Sequence, residues 1–431
     1  MNSFEFDYIL VGGGLQSGLL VLALYHHQPS ARVLLVERQD AIAGNHTWSF
    51  HPRDVSTSAA AWVSPAVEYR WPSYQVRIHG LEKQIGLSYA SISSTYFAEI
   101  VAKTLARFTG ENRVTGENRE SSQPFGVLLT GSEVTQVHRN EITTANGQSY
   151  RGRLVIDCRG AKPANQSHFS QTGYQKFWGF EIELQSDWPF DGPIVMDDRI
   201  EQCDGFRFIY SLPFTRRRVL VEDTRFSNNT AIDRNDCLQK VGNYLSSCGV
   251  NAWSIVREEH GLLPMPISGE HKPGSESLAD EAMAGGYAGG WFHAATGYSF
   301  PLAMDFAETV ASTTPERAAA AVTTLAVSNR TRSQFSRFLN RLLFCLVKPP
   351  KRYQIFRRFY QVLSTDSIAR FYSHRFTARD AFRIVVGLPP AGLQPIVFAR
   401  SLFRQPKRTI ATVANSNFTQ ISKSDYEEIG V

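Results

Sequence analysis

The chain has 431 residues, 42% of them hydrophobic and 20% charged, with a formal net charge of +5. This balance excludes a disordered or fibrous chain and suits two closely joined folded domains. Five cysteines (Cys158, Cys203, Cys237, Cys248, Cys345) without C-x-x-C spacing exclude a disulfide framework and a zinc site and predict reduced thiols.

The chain opens with an apolar, β-branched run from Phe4 to Val11, which predicts a strand. Gly12-Gly13-Gly14-Leu15-Gln16-Ser17-Gly18 follows, then the apolar helical stretch Leu19–Tyr25 and a second apolar run, Arg32–Val36, that ends in Glu37. Strand, glycine turn, helix, strand and acid form the pattern of a dinucleotide-binding βαβ unit. Gly12 allows the tight turn, Gly14 lets backbone approach a pyrophosphate at the helix N-terminus, and Gly13 between them is a further cofactor-binding candidate. Glu37 can accept hydrogen bonds from ribose hydroxyls. The third glycine position falls on Ser17, with Gly18 one step later, so a small residue stands where the helix packs on its strand. Placed at the start of the chain, this unit points to FAD more than to a nicotinamide dehydrogenase.

The acids Glu5 and Asp7 near the N-terminus do not resemble a cleaved leader. No run reaches the roughly 18 apolar residues that span a bilayer, and a cytoplasmic protein is expected. Gly44–His51 reads as a polar-aromatic loop. Ser94–Phe108 reads as a helix with Phe97, Ile100, Val101, Leu105 and Phe108 on one stripe. Residues 109–123 are polar, carry Thr-Gly-Glu-Asn-Arg twice, and predict a surface loop. Ser132–Tyr150 alternates as a hairpin with an Asn146-Gly147 turn. Arg153–Asp157 is a further strand, ending in Asp157-Cys158-Arg159-Gly160, that returns to the nucleotide-binding sheet.

Phe177–Leu184 and Arg207–Glu222 are alternating, aromatic-rich strands expected to form a second sheet over the cofactor. Trp291–Ala303 is a loop leading into a helical stretch, Leu302–Thr313. Arg330–Val347 and Arg352–Leu363 read as amphipathic helices split by Pro349-Pro350, and Pro389-Pro390 opens the last segment. Between 330 and 408, seventeen Lys and Arg stand against two acids, Asp366 and Asp380, leaving the remainder of the chain net acidic. Cations interleaved with aromatics on amphipathic helices suit an anionic membrane surface, at about 1 kcal/mol per exposed cation. A solvated face over the core is the alternative. No motif for reading nucleic acid accompanies the basic block.

Several segments together resemble bacterial lycopene cyclases, the carotenoid-ring-forming flavoproteins. They are Gly44–His51 (Gly-Asn-His-Thr-Trp-Ser-Phe-His), Phe177–Leu184, Phe206–Pro213, Val221-Glu222-Asp223-Thr224, His293–Ser299 (His-Ala-Ala-Thr-Gly-Tyr-Ser) and the Arg370-Phe371-Tyr372 region. The likeness runs in order along nearly the whole chain. It implies an α/β fold: a Rossmann-like FAD-binding domain of the two-dinucleotide-domain flavoprotein type, an antiparallel substrate domain and a helical C-terminal region. The expected division is 1–160 with 285–330 for FAD and NAD(P)H, 161–284 for the polyene, and 331–431 for a basic helical region at the membrane. It also implies cyclisation of the ψ-ends of lycopene to β-carotene by way of γ-carotene. No net redox change occurs, yet the FAD must be reduced, with NADPH or NADH as electron source. Peripheral association with the inner membrane is expected. A flavin-dependent monooxygenase or prenyl-chain reductase on the same fold is the alternative.

Ring closure begins with protonation of an alkene and ends with loss of a ring proton. It needs an acid kept protonated in a dry pocket, negative potential for cations, and exclusion of water. Glu222, at the end of the apolar run Val219-Leu220-Val221, is expected as the acid or as a group that stabilises the cation, with Asp223 pointing away or pairing with it and reduced flavin as the alternative proton donor. This position matches an acidic motif considered essential in the cyclases. Glu181 and Glu183 alternate with apolar residues on one strand face and are further carboxylate candidates, or simply an exposed polar face. Thr296, Gly297 and Tyr298 precede a helix and are expected to hold the flavin ring, with His293 and His46 as weaker candidates. No metal is expected.

Overall fold

The computed structural model describes residues 5–108, 125–160, 169–269 and 280–386. The Thr-Gly-Glu-Asn-Arg repeat, the Pro389-Pro390 segment and the end of the basic block lie outside these residues.

The N-terminal pattern folds as its periodicity dictates. Strand β1 (Phe6–Val11) lies between β2 (Val33–Val36) and β11 (Ser149–Asp157), parallel to both, and β8 (Gly126–Leu129) extends the parallel set beyond β2. Helix α1 (Leu15–His27) makes the crossover and buries Leu15 to Leu24. The Ser132–Tyr150 region forms two turns of strand, with β9 (Val134–Val137) and β10 (Glu141–Thr144) antiparallel and β10 joined to β11 through the Asn146-Gly147 turn. Gly147 takes a φ of +83° there, a conformation that glycine adopts without a Cβ penalty. The short β17 (Met283–Ala284) pairs with the end of β11.

A second sheet runs in the order β16 (Trp253–Gly269), β12 (Phe169–Leu184), β15 (Arg218–Ser227), β14 (Phe206–Pro213), β13 (Ile194–Asp197), β5 (Tyr74–Ile78) and β6 (Leu81–Ile85). Its pairs are antiparallel except β13 with β5. Two of its strands, β5 and β6, come from within residues 1–160. As the outermost strand, β16 tolerates Pro264 and Pro266, because one side of an edge strand needs no ladder donors. The loop expected at Gly44–His51 is half strand: β3 (Thr47–Phe50) joins β7 (Tyr89–Ser93) and β4 (Tyr69–Trp71) in a small third sheet.

Helix α2 (Thr57–Val63) and helix α3 (Ser94–Leu105) pack near α1, and α4 (Arg234–Ser247) covers the back of the second sheet through Cys237, Val241, Tyr244 and Leu245. Helix α5 (Phe300–Ala311) begins two residues earlier than its sequence pattern suggests and packs against α1. The helix expected from Arg330 starts at Pro315. It is α6 (Pro315–Arg341), with proline in the first turn, where no N–H is required. A wide five-residue turn at Leu342–Leu346 follows, then Pro349-Pro350, α7 (Tyr353–Val362), α8 (Thr365–Tyr372) and α9 (Ala378–Val385). No described helix is long and apolar enough to cross a membrane.

Candidate functional site

The glycine turn is shaped by its neighbours. Gly12 has a φ of +93°, and a Cβ there would meet the Arg159 backbone at 3.1 Å. A Cβ on Gly13 would lie 2.6 Å from the Ile42 side chain, whereas Gly14 has open space before it. Gly14 caps α1 without a side-chain hydrogen bond, and the first turn of α1 has no acid. Its free N–H groups and positive dipole end are therefore available to an anion. Ser17, at the third glycine position, donates from Oγ to the Gly12 carbonyl at 2.5 Å and so braces the turn. The close helix contact falls to Gly18, where a Cβ would stand 2.3 Å from the Phe97 ring of α3. Glu37 accepts the Gly13 N–H at 2.6 Å and the Gln39 N–H at 2.9 Å. Asp157 turns to the Arg159 guanidinium, at 2.7 Å, while Arg159 and Gly160 themselves line the cavity.

That cavity, of about 670 Å³, runs from the glycine turn past Glu37 and Gly160 to Gly297 and Tyr298, and on to Glu222 and Phe356. Gly297 has a φ of +68°, and a Cβ there would press on Leu263 at 2.9 Å. Thr296 Oγ1 accepts the Tyr298 N–H at 3.3 Å, and Tyr298 donates its hydroxyl to buried Asp54 at 2.7 Å. His293 stands behind this loop. Its Nδ1 accepts the Ala295 N–H at 3.2 Å, and burial lowers its pKa to about 4, so it is a neutral brace. His46 does line the cavity from an exposed position at its rim, and desolvation by the cavity wall lowers its pKa. An open glycine cradle, an uncapped helix N-terminus and an acid at the end of the second strand fit the diphosphate and ribose of a dinucleotide.

The far end of the cavity is acidic. Glu222 lies in mid-strand on β15 and not at the strand's end, as the apolar run before it suggests. Alternation along β15 aims Glu222 at the cavity and Asp223 at the opposite face. There Asp223 is fully buried and accepts Arg207 Nε at 2.7 Å and Arg225 Nη2 at 2.9 Å, with Asp236 completing the network at 2.5 Å from Arg225. Asp223 therefore points away from Glu222 and is held as a charged structural group. Glu181 is bound by Arg257 at 2.8 Å and Arg218 at 3.3 Å. Glu183 pairs with Arg218 at 2.6 Å on a half-exposed face. Neither Glu181 nor Glu183 lines the cavity.

The group that does face Glu222 is Glu259, on β16, a residue the sequence did not single out. Glu259 is 2% exposed. It accepts Thr47 Oγ1 at 2.8 Å and Arg257 Nη1 at 2.7 Å. Burial first, and then the facing Glu259 carboxyl, push the Glu222 carboxyl well above its usual range, while Arg257 opposes the shift. Arg257 also holds Asn45 and Thr47, each at 2.8 Å. The Asn-His-Thr-Trp-Ser segment thus ties the small third sheet to the acidic end. The one sequence signal for Glu259 is its two-residue spacing from Arg257, which places both on one strand face.

The family described as "Lycopene cyclase protein" matches residues 7–396. The chain is 35% identical over 403 residues to a lycopene beta-cyclase of Pantoea ananas, covering 91% of this chain and 98% of that one. It is also 35% identical over 394 residues to a lycopene beta-cyclase of Pseudescherichia vulneris, covering 90% and 95%. Among solved structures, pqsL, a probable FAD-dependent monooxygenase from Pseudomonas aeruginosa, shares the fold with a TM-score of 0.52 at 13% identity, over 81% of this chain and 98% of that one. On the strength of the family match and these relatives, the chain belongs to the lycopene cyclase family.

Proposed function

We propose that this protein is a lycopene β-cyclase that closes the acyclic ψ-ends of lycopene to β-ionone rings, giving β-carotene by way of γ-carotene without net redox change. The observation that carries the reading is the continuity of one cavity from the glycine cradle to buried Glu222, whose carboxyl is pushed above its usual range by burial and by Glu259. FAD is the dinucleotide assigned to the cradle, with NADPH or NADH as its electron source. Gly12, Gly13 and Gly14 would bring backbone to its diphosphate, Ser17 and Gly18 fix the helix behind them, and Glu37 would meet its ribose. Thr296, Gly297 and Tyr298, which line the same cavity, would hold the ring system. When bound and reduced, the flavin supplies negative charge beside the cations of ring closure.

The chain's own residues do the rest. Glu222 holds a proton because a buried carboxylate beside another acid is costly. It delivers that proton to the terminal alkene, leaving a tertiary cation. Phe177, Phe208 and Phe226 line the slot, keep water from the cation and offer π-faces to it. Glu181 and Glu183, paired with Arg257 and Arg218, do not line the cavity and have no part in this reading.

Expression in a lycopene-accumulating bacterium tests the reading. Lycopene should convert to β-carotene, and Glu222→Gln should abolish conversion while the protein stays folded. With purified protein, reduced nicotinamide should not be consumed in proportion to product. Unchanged lycopene, or stoichiometric consumption, would sink the proposal.

A further inference from the structure

Strand β12 lies between β15 and β16, and its Gly179 is in register with Glu222 on one side and Glu259 on the other. Neighbouring strands lie about 4.8 Å apart, so two residues flanking a central strand are about twice that distance apart. A side chain on the central strand would separate them. Gly179 has none: a Cβ there would stand 2.8 Å from Glu222 Cγ and 3.2 Å from Glu259 Cγ. The two carboxyl groups therefore meet over the glycine, within hydrogen-bonding reach of each other.

The surroundings of the two acids differ. Glu259 receives Arg257 Nη1 and Thr47 Oγ1 at 2.7 and 2.8 Å. Arg257 is itself fixed by Glu181, Asn45 and Thr47. Around Glu222, which feels the charge of Arg257, stand the buried tyrosines Tyr89 on β7 and Tyr210 on β14. His46, ahead of β3, faces Glu259. Positive charge is thus concentrated on the Glu259 side.

Resting on the cyclase reading, we infer that Glu222 and Glu259 form one proton-holding pair through the Gly179 window, with Glu259 the ionised member that takes the proton lost from the ring. The proton on Glu222 leaves to form a C–H bond at the terminal alkene. The neighbouring double bond uses its electron pair to close the ring and passes the positive charge to a ring carbon. The adjacent C–H bond then breaks, its electrons form the ring double bond, and its proton goes to the Glu259 carboxylate. Proton exchange across the hydrogen bond restores the starting state, so the pair ends each turnover with the single proton it began with. A catalytic carboxylate of this kind contributes rate on the scale of about a hundredfold.

The test uses the full-length, flavin-loaded protein and its Glu259→Gln, Gly179→Ala and Glu222→Gln variants, with circular dichroism as the check on folding. Infrared difference spectra across a pH titration read the carboxylic C=O band independently of turnover, and cyclisation of lycopene in liposomes gives the pH–rate profile. The band should persist above the ordinary carboxylate range in the wild type and be lost in Glu222→Gln. In Glu259→Gln its midpoint should fall by about one pH unit or more, and the rate about a hundredfold. Gly179→Ala, which parts the two acids without removing either, should shift the midpoint in the same direction. A Glu259→Gln protein with the wild-type midpoint, or with the wild-type rate, would overturn the pairing. Wild-type protein that shows the band and its shift but never cyclises lycopene would refute the ring-proton role and the cyclase reading, while the shared proton would stand.

Discussion

The hydroxyls of Tyr89 and Tyr210 lie 3.0 Å apart beside Glu222, and Tyr210 continues the chain to Ser49 Oγ at 2.9 Å. Tyr89 and Ser49 belong to the small third sheet and Tyr210 to the second, so three hydroxyls join two sheets across the cavity wall. Burial raises both phenol pKa values, which keeps these groups neutral donors while Glu222 titrates. Tyr210→Phe should cost about 1 kcal/mol of stability, read from the urea midpoint. It should also slow cyclisation far less than Glu222→Gln does. A loss of rate equal to that of Glu222→Gln would make Tyr210 the proton donor.

Asp223 sits next to the acid in sequence and does a different job. It is fully buried between Arg207 and Arg225, and Arg207 is fully buried too. Removing one member of such a network leaves uncompensated charge in the interior, at about 3–5 kcal/mol. Asp223→Asn should therefore lower the urea midpoint sharply, and more than Tyr210→Phe. An unchanged midpoint would show that the arginines find other partners and that the network is not structural.

Glu222 also makes stability depend on pH in a defined direction. Its pKa is raised in the folded protein, by burial and then by Glu259. The folded state therefore keeps this proton where the unfolded chain has lost it. The contribution is complete below about pH 4.3, the unfolded value for a glutamate, and fades as pH rises towards the folded value. Stability should fall by at most about 1.4 kcal/mol per pH unit across that window from this one group. Glu222→Gln removes the term, so the variant should gain on the wild type as pH increases. Parallel stability–pH curves for the two proteins would contradict a raised pKa.

The cradle was legible in the sequence because its logic is local. Gly12 to Gly18 and Glu37 are a strand, a turn and a helix apart, and each residue type is fixed by what its immediate backbone must do. The role of Gly18 was less visible, since its partner Phe97 comes from a helix almost eighty residues later. Glu222 could be read because an acid after Val219-Leu220-Val221 breaks an apolar run. Glu259 could not, because its meaning depends on a register: β12 must pair with β15 and β16 so that Gly179 falls between the two acids. The prolines Pro264 and Pro266 also disguise β16, which survives as a strand through its place at the sheet edge. Glu181 and Glu183 looked equivalent to Glu222 in periodicity. Their difference lies in Arg218 and Arg257, contributed by other strands.

Helix α9 presents Phe382 at 62% exposure, with Val385 and Val386 also exposed and Arg379 and Arg383 on the same short helix. Arg358 of α7 donates to the Val386 carbonyl and so ties the two helices together. Helix α7 also carries exposed Arg357 and Val362, while its Phe356 lines the cavity. An apolar and basic face beside one end of the cavity suits a bilayer from which a polyene enters, with cations meeting anionic headgroups. The protein should float with vesicles rich in anionic lipid, and less so as salt screens the headgroups. Burying one phenylalanine is worth about 1.5–3 kcal/mol, so Phe382→Ser with Val386→Ser should weaken vesicle binding by about tenfold or more. Turnover of detergent-dispersed lycopene should change little. Equal flotation of the variant would place the membrane contact elsewhere on the protein, and equal loss of turnover in detergent would mean that this helix shapes the cavity instead.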